Sequence, residues 1–147
     1  MKRWLGMASL IVAAGGVVVM LLPTMELRWG VDPALGLEPT VTRHSWFDPL
    51  LFGVARFDAP LALLAGIAGF FLLVLSVRRG PPSWLAVGFL IAGAVVPLLG
   101  FWAFGSLGWI ALLAQTAMAA SAAAAIISRG LAEAEATVLQ QHLRSEP

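Results

Sequence analysis

The sequence predicts an all-α membrane protein, a bundle of four transmembrane helices with a long first outer loop. This prediction depends on a low content of charged residues, on four long uncharged runs, and on a concentration of basic residues on one side of those runs. Of the 147 residues, 60% are hydrophobic and only 12% are charged. A soluble domain of this length usually has about 25% charged residues. The composition therefore indicates a chain embedded in lipid.

Four runs contain no Asp, Glu, Lys, Arg or His, and each has between 19 and 21 residues. They are Trp4 to Pro23, Ala59 to Val77, Trp84 to Phe104 and Leu107 to Ile127. A helix needs about 20 residues to cross a hydrocarbon core of about 30 Å, so each run is long enough to span once. Because the runs do not alternate polar and apolar residues, they predict helices rather than a barrel.

The runs divide the chain into a transmembrane domain (residues 1–128), which includes an outer loop at 24–58, and a cytoplasmic tail at 129–147. Lys2 and Arg3 before the first run also fit a secretory signal peptide. That run, however, is longer than the usual apolar region of about 7–15 residues, and no cleavage pattern follows it. We therefore expect a retained first helix. The tail is expected to form a short amphipathic helix at the inner membrane surface.

The distribution of basic residues predicts the orientation. With the N-terminus inside, the cytoplasmic segments hold six of the nine Lys and Arg residues, including Arg78 and Arg79 in a short connection. The opposite side holds three Arg and five carboxylates in a much longer stretch. Cytoplasmic flanks of membrane helices are enriched in Lys and Arg. Both termini are therefore expected in the cytoplasm. The Ala, Gly, Leu and Val content is typical of a GC-rich bacterial genome, which points to a bacterial plasma membrane.

The outer loop is rich in apolar aromatic residues. Extended-looking stretches at 25–31 and 41–47 predict a possible small strand pair. The aromatic side chains are expected either to fold onto the helix ends or to present a surface to a partner. Aromatic and Arg residues are enriched at binding hot spots. The candidate partner-binding residues are Trp29, Arg43, Trp46, Phe47, Phe52, Arg56 and Phe57.

Three residues inside the runs are candidates for helix packing or for a transport pathway. Pro97 removes a backbone hydrogen bond and predicts a kink in the third helix. Gln115 and Thr116 are the most polar pair at membrane depth. Gln115 is expected to form a hydrogen bond to another helix, which would contribute about 0.6–2 kcal/mol to stability. The alternative is that Gln115 contacts a substrate. Small residues such as Ala62 and Gly66 are expected to pack the bundle, or alternatively to dock another protein.

No pattern predicts catalysis or a cofactor. Cys is absent, which excludes disulfides, thiolate metal sites and a Cys nucleophile. His44 and Asp48 could act as a general base and its carboxylate, but no nucleophile is suitably spaced, and a turn is the structural alternative. His44 and His142 lie outside every run, so we expect no haem or metal. A net charge of +1 without a basic face argues against nucleic acid as a partner.

One segment carries a family resemblance. SWFDPLLFGVARF (Ser45 to Phe57), leading into APLALLAG, resembles small uncharacterised four-span membrane proteins of high-GC Gram-positive bacteria. The resemblance covers about residues 20–77 and implies a fold type without a function. The long first outer loop and tight second hairpin are also similar to the claudin type. Only Trp29 matches the claudin Trp/Gly-Leu-Trp cluster and both loop cysteines are missing, so a paracellular role is unsupported.

These features together predict a non-enzymatic accessory or assembly subunit of a larger bacterial membrane complex. No ionisable residue lies within the runs to move protons or ions, whereas the outer loop and small-residue faces can contact a partner. The alternative is a small oligomeric transporter or channel, with Pro97, Gln115 and Thr116 along the path. The expected partners are membrane lipid and either another membrane protein or a second copy of the chain.

Overall fold

The computed structural model describes residues 2–23, 25–29, 36, 38, 40–48, 57–104 and 109–145. In these residues the chain forms four helices and one two-stranded sheet. The elements in chain order are α1 (Lys2–Leu21), β1 (Met25–Trp29), β2 (Thr40–His44), α2 (Asp58–Arg79), α3 (Trp84–Phe104) and α4 (Trp109–Ser145). The fold is mostly helical, as the uncharged runs predict.

Within the described residues, three helices are long and apolar enough to cross a membrane. They are Trp4–Leu21, Asp58–Arg79 and Ala111–Arg144. The helix α3 is also apolar, over Trp84–Leu98. Large hydrophobic side chains on the outside of the helices are exposed, among them Ile11, Phe71 and Ile91. The chain is therefore compatible with a membrane-embedded bundle.

The four helices form an up-and-down ring. Each helix packs against the next in the chain, and α1 closes the ring by packing against α4. Gly6 of α1 lies beside Ser128, whereas Gly16 lies beside Met118. Because the position along α4 falls as the position along α1 rises, these two helices are antiparallel. The helices α2 and α3 are antiparallel as well.

Small residues in the centre of the bundle make room for a buried methionine. Met118 is fully buried. A Cβ atom added to Gly16 would lie 2.8 Å from Met118 Cε, and one added to Gly66 would lie 3.1 Å from it. The two glycines therefore leave the space that the methionine methyl group occupies. Ala62 is buried as well, so this small-residue face packs within the chain.

The two strands form the predicted strand pair. They are antiparallel, with Met25 opposite His44 and Trp29 opposite Thr40. An isolated two-stranded hairpin is marginally stable at best. Here Trp46 attaches it to the bundle: its side chain is 1% exposed, and its backbone N–H donates to the carbonyl oxygen of Met20 at 3.1 Å.

A short turn at 80–83 connects α2 to α3. The Ser83 hydroxyl oxygen accepts a hydrogen bond from the Ala86 N–H at 3.1 Å, which makes Ser83 the N-cap of α3. We call this end of the bundle the turn end and the opposite one the hairpin end. They provide the reference for the surfaces described below.

The helix α4 is longer than its uncharged run. The sequence predicts a span ending at Ile127 and a separate short helix in the tail, but α4 continues without a break to Ser145. The segment after Gly130 is rich in Ala, Leu, Glu and Gln, which favour helices. At 1.5 Å per residue, its 37 residues extend about 55 Å.

Candidate functional site

The predicted partner-binding residues divide between the interior and the surface of the hairpin end. Trp46 is buried and packs within the chain. This agrees with the expectation that loop aromatics fold onto the helix ends, and not with the expectation that they face a partner. Phe47 and Phe57 are 44% and 65% exposed, and Arg43 is exposed. Outside the described residues lie Phe52, Arg56 and the side chain of Trp29. Of the predicted partner-binding residues that the structure describes, Arg43, Phe47 and Phe57 are therefore the ones on the exposed part of the hairpin end.

His44 and Asp48 are close, but their surroundings are those of a turn. The His44 Nδ1 atom is 3.8 Å from Asp48 Oδ2, and His44 Nε2 is 2.9 Å from the Thr42 hydroxyl. The Asp48 carboxylate accepts hydrogen bonds from the Ser45 N–H at 2.7 Å and the Ser45 hydroxyl at 2.8 Å. In a nucleophilic triad the histidine lies between the hydroxyl and the carboxylate. Here the carboxylate binds the hydroxyl directly, which favours the structural alternative.

Pro97, Gln115 and Thr116 do not share one path. Pro97 is buried, and α3 continues through it. Gln115 is 6% exposed, and its Nε2 atom has no hydrogen-bond partner among the residues that the structure describes. The interhelical hydrogen bond predicted for Gln115 is therefore not made by this nitrogen. Thr116 is exposed, and its hydroxyl donates to the Leu113 carbonyl oxygen at 2.9 Å.

A further exposed apolar surface lies outside the predicted partner-binding residues. It lies on α4 beyond the bundle, where Val138, Leu139 and Leu143 are 65%, 61% and 65% exposed. Together with Leu131 and Ala134 they form an apolar helix face, which we call the tail face. An open groove of about 550 Å³ follows it. The amphipathic pattern of the tail predicts a helix here, at the inner membrane surface.

Arg129 fixes the point at which α4 leaves the bundle. Its Nη1 atom donates to the Pro82 carbonyl oxygen at 3.0 Å, and its Nε atom is 2.7 Å from Glu133 Oε1. The guanidinium carbon also lies 5.0 Å from the centre of the Trp84 ring, within cation–π distance. Arg129 therefore connects α4 to the turn end through two groups, the Pro82 carbonyl and the Trp84 ring, while Glu133 holds the guanidinium from within α4.

Comparison with known proteins gives no match: no family model, curated protein or solved structure is similar to this chain. Among the residues that the structure describes, no three His, Asp or Glu side chains are grouped so that they could hold a metal ion. Two exposed surfaces of the described residues could contact a partner: the exposed part of the hairpin end and the tail face.

Proposed function

We propose that this chain is a four-span protein of a bacterial plasma membrane, with both termini in the cytoplasm. In that membrane it acts as a non-enzymatic accessory or assembly subunit of a larger complex. One observation carries the proposal: the tail face continues an apolar helix beyond the bundle and leaves its large side chains exposed. The partner that fits this face is an amphipathic helix of another subunit.

The placement in a membrane is supported by the outer surface of the bundle. Leu64, Phe71 and Val95 are exposed large hydrophobic side chains within the stretches 59–77 and 84–104, which contain no charged residue. Contact of such an apolar surface with water is unfavourable, whereas contact with lipid is favourable. The basic pair Arg78 and Arg79 supports a cytoplasmic position of the turn end, because cytoplasmic flanks are enriched in Lys and Arg.

The dimensions of α4 support a cytoplasmic contact. From Arg129 to Ser145 the helix rises about 24 Å, so the tail face extends past the headgroups and into water. An unbroken helix curves only gently, which carries the tail face away from the membrane plane. Apolar residues spaced by three, four and seven positions are typical of helices that bind a partner helix or groove.

The alternative, a small oligomeric transporter or channel, needs polar side chains that line one path. Gln115 points into the bundle and Thr116 points out of it, because consecutive residues on a helix are about 100° apart. Only one of the two could line a path through a single bundle. This arrangement favours the accessory subunit.

Purification from native membranes in a mild detergent tests the proposal. The unaltered chain should retain a partner protein at fixed stoichiometry. Val138→Glu together with Leu139→Glu should reduce the retained partner at least tenfold, because two charges would lie in the buried centre of the contact. Gln140→Glu, on the polar side of the same helical turn, is the matched control and should retain the partner.

Two outcomes would count against the accessory subunit. Equal partner loss in Gln140→Glu would show that negative charge alone disrupts the complex. If the chain purifies without any partner, and light scattering shows that the tail-face variants dissociate a homo-oligomer, then the tail face joins copies of this chain instead.

A further inference from the structure

The turn end contains a cavity of about 530 Å³ between three helices. Its lining includes Gly6 and Met7 of α1, Arg78 and Arg79 of α2, and Ser128 and Ala132 of α4. The residues of the turn itself complete the wall. No carboxylate is among the described residues that line the cavity, so two arginines give it a net positive charge.

The arginines of the turn end differ in their partners. Arg129 contacts a carbonyl oxygen, a carboxylate and an aromatic ring. Arg78 and Arg79 are exposed, and neither forms a hydrogen bond or ion pair with the residues that the structure describes. A guanidinium group matches a phosphate group in both charge and geometry. The two free guanidinium groups can therefore bind a phosphate at this cavity.

A second cavity makes the site amphipathic. It has a volume of about 350 Å³ and shares Arg79 and the start of the turn with the first cavity. Leu72 and Leu75 line it on the outer surface of α2, and Leu75 is 52% exposed. Arg79 thus lies between a charged cavity and an apolar groove that opens to the surroundings of the bundle.

We propose that the charged cavity binds the phosphodiester headgroup of an anionic phospholipid in the cytoplasmic leaflet. One acyl chain of that lipid lies in the groove beside Leu72 and Leu75. Basic pockets between membrane helices on the cytoplasmic side are suited to such headgroups. The inference rests on the membrane placement in the proposed function. It does not depend on the existence of a partner subunit, because lipid binding is measured on the purified chain alone.

The test uses the full chain in a neutral detergent, with phosphatidylglycerol or phosphatidylcholine added in steps and bound lipid counted by native mass spectrometry. The unaltered chain should bind one phosphatidylglycerol more tightly than phosphatidylcholine. Arg78→Gln together with Arg79→Gln should weaken phosphatidylglycerol binding about 30-fold, from the usual contribution of each basic residue near an anionic headgroup.

Arg144→Gln is the matched control. Arg144 is also an exposed arginine on the cytoplasmic side, but it does not line the cavity, so its loss should change affinity less than twofold. Ala132→Leu keeps every charge and fills part of the cavity, and it should weaken binding about tenfold. If the double arginine variant does not fold, as judged by tryptophan fluorescence, the affinity of Ala132→Leu for phosphatidylglycerol tests the proposal in its place.

Three results would overturn the proposal. Equal affinity for the two lipids would exclude a site for anionic headgroups. An equal loss in Arg144→Gln would assign the binding to general surface charge. If glycerol 3-phosphate or inorganic phosphate displaces phosphatidylglycerol at equal concentration, the cavity takes a soluble phosphate and the apolar groove has no part in it.

Discussion

Ser9 and Ser121 join α1 to α4 by a reciprocal pair of hydrogen bonds. The Ser9 hydroxyl donates to the Ser121 carbonyl oxygen at 2.8 Å, and the Ser121 hydroxyl donates to the Ser9 carbonyl oxygen at 2.8 Å. The two Oγ atoms are 3.0 Å apart, and both side chains are fully buried. Helices approach this closely only where small residues face each other. The pair therefore sets both the spacing and the register of α1 against α4.

Ser9→Ala should lower the free energy of unfolding by about 0.6–1.7 kcal/mol, as for other hydrogen bonds between membrane helices. The measurement is unfolding in mixed micelles, followed by tryptophan fluorescence. Thr116→Ala is the control, because that hydroxyl is exposed and bonds within its own helix. A double-mutant cycle with Ser121→Ala should show non-additive losses. Additive losses would mean that the two hydroxyls act independently.

Gly69 and Gly15 should respond in opposite ways to the same substitution. A Cβ atom at Gly69 would lie 3.1 Å from the backbone nitrogen of Leu90, which cannot move without shifting α3. Gly69→Ala should therefore lower the free energy of unfolding by about 1–3 kcal/mol. A Cβ atom at Gly15 would meet nothing within 4 Å, so Gly15→Ala should be neutral or slightly stabilising. Equal melting temperatures for the two variants would contradict the close α2–α3 contact.

Trp46 should matter for stability more than for partner binding. Trp46→Ala should lower the free energy of unfolding by about 3–5 kcal/mol, the usual cost of truncating a buried Trp. It should also make the hairpin sensitive to protease, because the hairpin loses the side chain that packs into the core of the bundle. Phe47→Ala, at a neighbouring exposed position, should change stability little. If Trp46→Ala instead removed a partner and left the melting temperature unchanged, Trp46 would be an interface residue.

The orientation can be tested without a background signal, because the chain has no native Cys. Cysteines introduced at Glu38, Arg79 and Glu133 can be labelled in intact cells with a membrane-impermeant maleimide. Glu38→Cys should react from outside, since it lies in the hairpin region opposite the turn end. Arg79→Cys and Glu133→Cys should react only after the cells are lysed. Labelling of Arg79→Cys in intact cells would reverse the assignment of the two sides.

The sequence was sufficient to place α2 and α3, since their ends depend on local signals. The run Trp84 to Phe104 coincides with α3, which begins after the Ser83 N-cap. The helix α2, Asp58–Arg79, exceeds its run by one residue at the start and two at the end. In both cases the boundary is set by charged, turn or capping residues close in sequence.

Features that depend on distant residues could not be predicted in this way. The pattern of aromatics in the outer loop does not distinguish buried Trp46 from exposed Phe47, because the difference arises from the packing of Trp46 into the core of the bundle. Similarly, nothing local separates Arg129, which is bound to the turn, from Arg79, which has no hydrogen bond or ion pair with the described residues. The length of α4 was missed because the apolar run ends at Ile127, while helix propensity continues beyond it.

Gln115 provides the last prediction, and it also separates the two candidate functions. Its Nε2 atom is buried and has no hydrogen-bond partner within the described part of the chain, and an unsatisfied buried donor costs about 1–3 kcal/mol. Gln115→Leu has a similar volume and removes this cost, so it should raise the free energy of unfolding by about 1 kcal/mol or more. Gln140→Leu, at an exposed position of the same helix, should give no such gain. Partner retention should be unchanged in Gln115→Leu if the chain is an accessory subunit. A transporter that uses this amide to bind its substrate would lose uptake in the same variant, and that loss would favour the alternative function.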